Sequence, residues 1–187
     1  MVLSAMFIAI IILQSFVPFL GNLPLFILDI TIIHITVIVG GIVLGPKAGF
    51  LLGFAWGFSS FLRAFTSGNA VTFMIFTNPF ISILPRLLMG GLIALFYHKM
   101  SKVITYDKLR MALSGFLGSL MNTILVLGLI YLLMAGQYAE LTGKTVAELP
   151  LVLMGIVMSN GIAEAIAASI MTPIIASVLL SVSKKRG

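Results

Sequence analysis

Apolar residues fill this chain in six long stretches, each closed by a short cluster of glycine, proline, asparagine or charge. Leu3 to Leu20 is the first and ends at Gly21-Asn22-Leu23-Pro24; Ile30 to Leu44 is the second and ends at Gly45-Pro46-Lys47. Ala48 to Phe65 is the third, closed by Thr66-Ser67-Gly68-Asn69, and the fourth runs from about Phe73 to Tyr97. Leu109 to Ala135 is the fifth, and after the polar span Gly136 to Glu148 the sixth runs from about Pro150 to Val182. A helix rises about 1.5 Å per residue and the hydrocarbon core is about 30 Å thick, so about 20 apolar residues suffice to cross it. The pattern predicts an all-α membrane protein, a single domain over residues 1–187 with six transmembrane helices. The second stretch is short and is expected to be tilted or partly extended.

Composition agrees. With 60% hydrophobic and 9% charged residues in 187 and a mean hydropathy of +1.23, the chain is too apolar for a soluble domain. The net charge of +6 does not imply nucleic acid, because no basic helix interleaves cations with aromatics. There is no cysteine, hence no disulfide and no thiolate metal site. Lys47, Lys99, Lys102, Lys108, Arg110, Lys184, Lys185 and Arg186 fall in the second and fourth connectors and the tail. Six spans put these on one side, which the positive-inside rule makes cytoplasmic, so both termini are expected inside and Asp29, the Thr66 to Asn69 loop, Glu140, Lys144 and Glu148 outside. No basic lead-in or small-residue cleavage site marks a signal peptide, so the first stretch is expected to stay in the membrane. The abrupt apolar start points to residues missing ahead of it.

Small residues form two stripes. Gly49, Gly53 and Gly57 recur every four residues on the third stretch and are expected to pack against another helix. Ala5 and Ala9 repeat that spacing on the first stretch; spacing alone favours internal packing over a docking groove.

The fourth stretch carries Asn78-Pro79-Phe80-Ile81-Ser82-Ile83-Leu84-Pro85-Arg86, with an arginine about 18 Å from the His98 end at 1.5 Å per residue. A guanidinium at mid-membrane cannot snorkel and needs a polar cavity or a partner. Pro85 has no N–H for the Ile81 carbonyl, so a kink and a cavity are expected there. Freed carbonyls, Asn78 and Arg86 would recognise a small molecule with an anionic group and several hydrogen-bonding groups. The structural rival for Arg86 is an ion pair with Glu164, which shares a face with Asn160 at four residues' spacing. Arg63 is read equally as a headgroup anchor or a ligand residue. Ser119, Asn122 and Thr123 make a polar patch that serves either a ligand or interhelical hydrogen bonding. Trp56, Phe61, Phe65, Phe73, Phe76 and Phe80 are candidate apolar walls. For Asp29 and His34, loop capping outweighs binding.

No zinc-protease, nucleophile-elbow or phosphate-loop signature occurs, and no pair of intramembrane carboxylates. Two classes remain: a solute-binding transport component, or an intramembrane enzyme or assembly factor acting on lipid. Ala5-x-x-x-Ala9, Asp29 before a short helix ending Leu44-Gly45-Pro46-Lys47-Ala48-Gly49, and Asn78-Pro79 leading to Leu84-Pro85-Arg86-Leu87-Leu88-Met89-Gly90 together resemble the substrate-binding S components of energy-coupling-factor vitamin transporters. The resemblance covers nearly the whole chain and departs from the pattern in the missing basic residues before Ala5. It implies a non-enzymatic subunit of a bacterial plasma membrane that captures a vitamin outside. Docking would use the helix bearing Ala5 and Ala9, onto a transmembrane coupling protein with two ATPase subunits. ATP and magnesium belong to those partners, and no cofactor to this chain. Substrate residues implied are Asn78, Arg86, Asn122, Asn160 and Glu164, with Arg63 and loop residues as gates and Trp56 in the wall. The run from Thr77-Asn78-Pro79 to Gly90-Gly91 looks most like the pantothenate-specific members; riboflavin or a pyrimidine or pyridoxine precursor is the alternative.

Overall fold

The computed structural model describes residues 2–17, 20–25, 28–66 and 70–184, without the side chains of 22–30 and 183–184. The side chain of Asp29 and residues Ser67, Gly68, Asn69, Lys185 and Arg186 therefore lie outside the described residues. The chain runs as α1 (Val2–Phe16), a hairpin of β1 (Asn22–Leu25) and β2 (Leu28–Thr31), α2 (Ile33–Leu44), α3 (Pro46–Thr66), α4 (Ala70–Phe76), α5 (Pro79–Ser82), α6 (Leu84–Lys99), α7 (Asp107–Thr142), α8 (Leu149–Ile156) and α9 (Ile162–Lys184). It is a helical bundle with one small antiparallel hairpin, in which Asn22 pairs with Thr31 and Leu25 with Leu28. Four helical stretches, Pro46–Thr66, Pro79–Lys102, Asp107–Thr142 and Leu149–Val182, are long and apolar enough to cross a membrane, and α1 and α2 are shorter apolar helices.

The short second stretch is explained by its place. Ile33, His34, Ile35, Val37, Ile38, Val39, Gly40, Gly41 and Ile42 of α2 are all buried, so this helix of 12 residues is the axis of the bundle. A helix apolar all round belongs in such a position. At its end Gly45 takes φ +93°, a conformation that side chains resist, and Pro46 starts α3 at a position where its missing N–H costs nothing. At its start the chain is extended into the hairpin, and the Gly21 carbonyl accepts from the Ile32 N–H at 2.9 Å. The sequence pattern reads Gly21-Asn22-Leu23-Pro24 as a connector and starts the second helix at Ile30, so it misses the hairpin and β2, because apolar residues alternate with turn formers too briefly to separate strand from connector.

The glycine stripe packs as expected. A Cβ on Gly49 would strike the carbonyl of Gly90, one on Gly53 the carbonyl of Arg86, and one on Gly57 the Cα of Ile83 at 2.6 Å. Thus α3 and the α5–α6 arm touch backbone to backbone over two turns, which fixes where Arg86 sits. On α1 only Ile11 and Ser15 are buried, while Ala5 and Ala9 are exposed. Among the described residues the alanine pair is exposed rather than packed internally, contrary to what spacing favours.

Three stretches differ from their expected form. The fourth is broken twice, between Phe76 and Pro79 and again at Ile83, rather than bent once. The fifth reaches Thr142 instead of Ala135, with a kink at Met134 (φ −140°, ψ 23°) and a left-handed cap at Gly143 (φ +64°). The sixth contains a π-turn, Val157–Gly161. Beyond α7, the Thr145 N–H and hydroxyl each donate to the exposed Glu148 carboxylate at 2.8 Å, and these bonds hold its pKa below the usual carboxylate value.

The glycine contacts predict an asymmetric response. Gly49→Ala should destabilise by about 1–3 kcal/mol through overpacking, whereas Gly128→Ala, with open space around it, should be neutral or stabilise by up to about 1 kcal/mol. Thermal unfolding of the two variants in detergent, followed by size-exclusion monodispersity, measures this; equal effects would contradict the close approach.

Candidate functional site: a polar layer inside the bundle

Pro85 leaves the Ile81 carbonyl without a helical donor, and Arg86 supplies one. Its Nη1 donates to Ile81 O at 2.8 Å and to Ser82 O at 3.3 Å. The guanidinium lies between two rings, 5.1 Å from the centroid of Trp56 and 4.8 Å from that of Phe76, and is 6% exposed. Cation–π contact of this kind gains strength when water is excluded. Asn78 spends its Oδ1 on the Phe80 N–H at 3.0 Å, capping α5, and its carbonyl accepts from Ser82 Oγ at 3.0 Å. Asn78 thus builds the arm that aims Arg86, and its amide nitrogen is the part that remains to meet a ligand.

Glu164 does not pair directly with Arg86. Its Oε1 accepts the Thr31 N–H at 2.8 Å, so the carboxylate latches the hairpin to α9 while it interacts with Arg86 electrostatically across a gap. The rival ion pair does not form: Arg86 Nη1 donates to the Ile81 and Ser82 carbonyls, and Glu164 Oε1 accepts from the hairpin N–H of Thr31.

Helix register places further polar residues at this level. Gly90 presses on Val37, where a Cβ would lie 2.9 Å from Cγ1, so one turn nearer the hairpin His34 of α2 comes level with Arg86 of α6. Gly118 presses on Ile38 in the same way, at 2.6 Å, and α7 runs opposite to α2, so one turn on brings Asn122 level with His34, with Ser119 about one turn behind it. Gly161 meets Thr123 at 3.1 Å and Gly115 meets the Ala168 carbonyl, which puts Glu164 beside the Ser119 turn. His34, Arg86 and Asn122 therefore lie at one level and Ser119 and Glu164 within about a turn of it, with Trp56 at the α3 wall.

Their hydrogen bonding is incomplete. Six buried side-chain polar atoms have no partner among the described residues, and four are His34 Nε2, Arg86 Nε, Ser119 Oγ and Asn122 Oδ1, all in this layer. Each such group costs about 1–3 kcal/mol if nothing answers it. Native proteins rarely leave several such groups together, which makes this layer the candidate site of the bundle.

The remaining candidates separate. Asn160 is half-buried within the π-turn, next to the Gly161–Thr123 contact. The extra residue of a π-turn rotates the helix beyond it by about 100°, so counting by four across the turn does not give the face. Arg63 donates to the Ser15 carbonyl at 3.4 Å and ties the end of α3 to α1. Of the proposed walls, Trp56 and Phe76 meet Arg86, while Phe65 meets Phe61 of α3 and Phe73 of α4 edge to face and Phe80 is 64% exposed. His34, read from the sequence as a loop-capping residue, is instead buried within α2 at 2% exposure.

Apolar helices long enough to cross a membrane, packed around a buried polar layer, make this a multi-pass type of membrane protein. The chain belongs to the family described as the substrate-specific component of ECF transporters, whose profile matches residues 1–176. It is therefore a transport component and not itself an enzyme. Among curated relatives, it is 31% identical over 194 residues to the pantothenate transporter PanT of Leuconostoc mesenteroides, covering 100% of this chain and 95% of that protein. It is 32% identical over 192 residues to the pantothenic acid transporter PanT of Lactococcus lactis subsp. cremoris, covering 94% and 90% respectively.

The latch can be tested apart from any ligand. Glu164→Gln keeps an oxygen for the Thr31 N–H and should leave hydrogen exchange of 22–31 nearly unchanged. Glu164→Ala should raise it by roughly fivefold to a hundredfold, the worth of about 1–3 kcal/mol. Equal protection in both variants would sever Glu164 from the hairpin.

Proposed function

We propose that this chain is the vitamin-binding subunit of an ECF-type transporter of a bacterial plasma membrane and that its vitamin is pantothenate. The observation that carries the reading is the group of four unpartnered buried polar atoms within about a turn of one level, around a guanidinium held between two aromatic rings. Pantothenate offers one carboxylate, one amide and two hydroxyls. A carboxylate suits Arg86, whose Nε still lacks an acceptor. The hydroxyl and amide groups suit Ser119, Asn122, Asn160 and the amide nitrogen of Asn78. The relatives' names point to the same compound. Glu164 then acts next to the ligand by holding the hairpin over it, and its distance from Arg86 leaves that cation to the substrate.

In this reading six helical segments cross the membrane with both termini cytoplasmic, and the hairpin end, where Thr31 meets Glu164, faces outward. Substrate enters from that side. Delivery needs a transmembrane coupling protein and two ATPase subunits, which carry ATP and magnesium. The exposed Ala5 and Ala9 on the outlying α1 give a smooth strip between exposed Met6 and Ile10 for a partner helix.

Binding by purified protein, followed by calorimetry, tests the substrate. Arg86→Ala should weaken pantothenate by the charge-assisted share of about 1.5–3 kcal/mol, roughly tenfold to a hundredfold. It should also abolish the preference for pantothenate over pantothenol, whose alcohol replaces the carboxylate. Arg86→Lys should restore only part, because an ammonium lacks the planar fork. Undiminished preference in folded Arg86→Ala would remove Arg86 from the anion site.

Docking has its own measurement. Ala5→Trp or Ala9→Trp should leave pantothenate binding by the isolated chain intact while stopping ATP-driven uptake in vesicles that contain the coupling protein and ATPases. Full uptake by either variant would place the interface elsewhere.

A further inference from the structure

Where α6 hands over to α7, an arginine ties the corner shut. Arg110 is 7% exposed; its Nη1 donates to the Ile104 carbonyl at 3.2 Å, its Nη2 pairs with Asp107, and its guanidinium lies 4.4 Å from the ring centroid of Tyr97. The backbone closes the same corner. The Val103 and Ile104 N–H groups donate to the Met100 carbonyl at 3.0 and 2.8 Å, and the Arg110 N–H donates to the Tyr106 carbonyl at 3.2 Å. The corner stands at the end of the bundle away from the hairpin, because α6 runs from the level of His34 toward that end and Lys99 lies about 20 Å beyond Arg86. Its outer surface mixes charge with apolar area. Lys99, Lys102 and Lys108 are exposed, and Asp107, the single acidic residue between Lys99 and Arg110, is already paired. Beside them Val103 is 73%, Tyr106 64% and Leu109 49% exposed. Apolar exposure continues along α7 through Leu117 and Ile124, within a stretch long and apolar enough to cross a membrane. The lysines thus stand where hydrocarbon gives way to headgroups, with a phenol and aliphatic side chains at the boundary.

We propose that this corner binds the headgroup of an anionic phospholipid, with Lys99, Lys102 and Lys108 around its phosphate and Val103 and Tyr106 beside its glycerol. Three cations without a free acid among them attract an anionic headgroup, and the Arg110 brace keeps them on one small surface. Continuity with the exposed flank of α7 favours the bilayer over a soluble protein, which would need the patch to face away from lipid. A lipid held here fixes the depth of α6 and α7, the helices that carry Arg86 and Asn122. The lipid site stands apart from the polar layer and does not depend on what that layer binds.

Native mass spectrometry of the purified protein, titrated with phosphatidylglycerol or with phosphatidylcholine of the same acyl chains, reads the affinity for the first bound lipid. Wild type should prefer phosphatidylglycerol by at least about tenfold, and Lys102→Gln should lower that preference by about fivefold. Lys99→Gln, Lys102→Gln and Lys108→Gln together should reduce it to within about twofold, while arginine at the same three positions should keep it. Lys144→Gln, at the other end of α7, should leave it unchanged. In nanodiscs, phosphatidylglycerol in place of phosphatidylcholine should slow hydrogen exchange of 99–109 in wild type and not in the triple glutamine variant. No preference in wild type, or a preference that the triple glutamine variant retains, would overturn the site. Competition by glycerol 3-phosphate at the lipid's own concentration would make it a free-phosphate site and overturn the lipid assignment. A triple variant that keeps the lipid preference but no longer assembles with a coupling protein and its ATPases would make the corner a protein interface, which also contradicts the proposal.

Discussion

A carbonyl without a donor is costly inside a membrane, and one such carbonyl organises this bundle. Pro85 cannot bond Ile81, the Arg86 guanidinium turns back along its own helix to do so, and in that position it lies between Trp56 and Phe76. A single proline therefore brings a cation to mid-bundle and holds it there without a counter-ion in contact. The glycine-to-backbone contacts between α3 and α6 make the arrangement rigid, because Gly53 touches the carbonyl of Arg86 itself. Preorganisation of this kind means that an anion bound at Arg86, as proposed, would cost little rearrangement.

Around that cation the other helices contribute one polar residue or turn each, and they do so through register rather than proximity in sequence. His34, Ser119, Asn122 and Glu164 come from α2, α7 and α9, and small residues at Gly90, Gly118 and Gly161 set their levels to within about a turn of one another. Glu164 differs from the rest in being satisfied, by the hairpin N–H of Thr31. The carboxylate thereby couples the hairpin to the layer, so occupancy of the layer and order of the hairpin should rise together.

Much of this was legible in the chain. Long apolar stretches gave helices, the stripe at Gly49, Gly53 and Gly57 gave a packing face, and the Pro85-Arg86 pair gave a break with a charge beside it. What escaped was whatever depends on a partner distant in sequence. Arg86 and Glu164 look like an ion pair in one dimension, but each bonds a backbone group instead. The hairpin was hidden in a tract too short for a period of two to stand out from a connector. The π-turn before Glu164 cannot be counted from residue spacing, and His34 reads as a loop residue until α2 is seen as the axis of the bundle.

The central claim is that the polar layer is a site for one carboxylated, hydroxylated solute. Mass spectrometry of small molecules released by heat from protein freshly purified out of pantothenate-replete cells tests it most directly. The account predicts close to one equivalent of pantothenate per chain, lost in Arg86→Ala. A stoichiometric ligand lacking a carboxylate, or the same pantothenate content in wild type and Arg86→Ala, would contradict it.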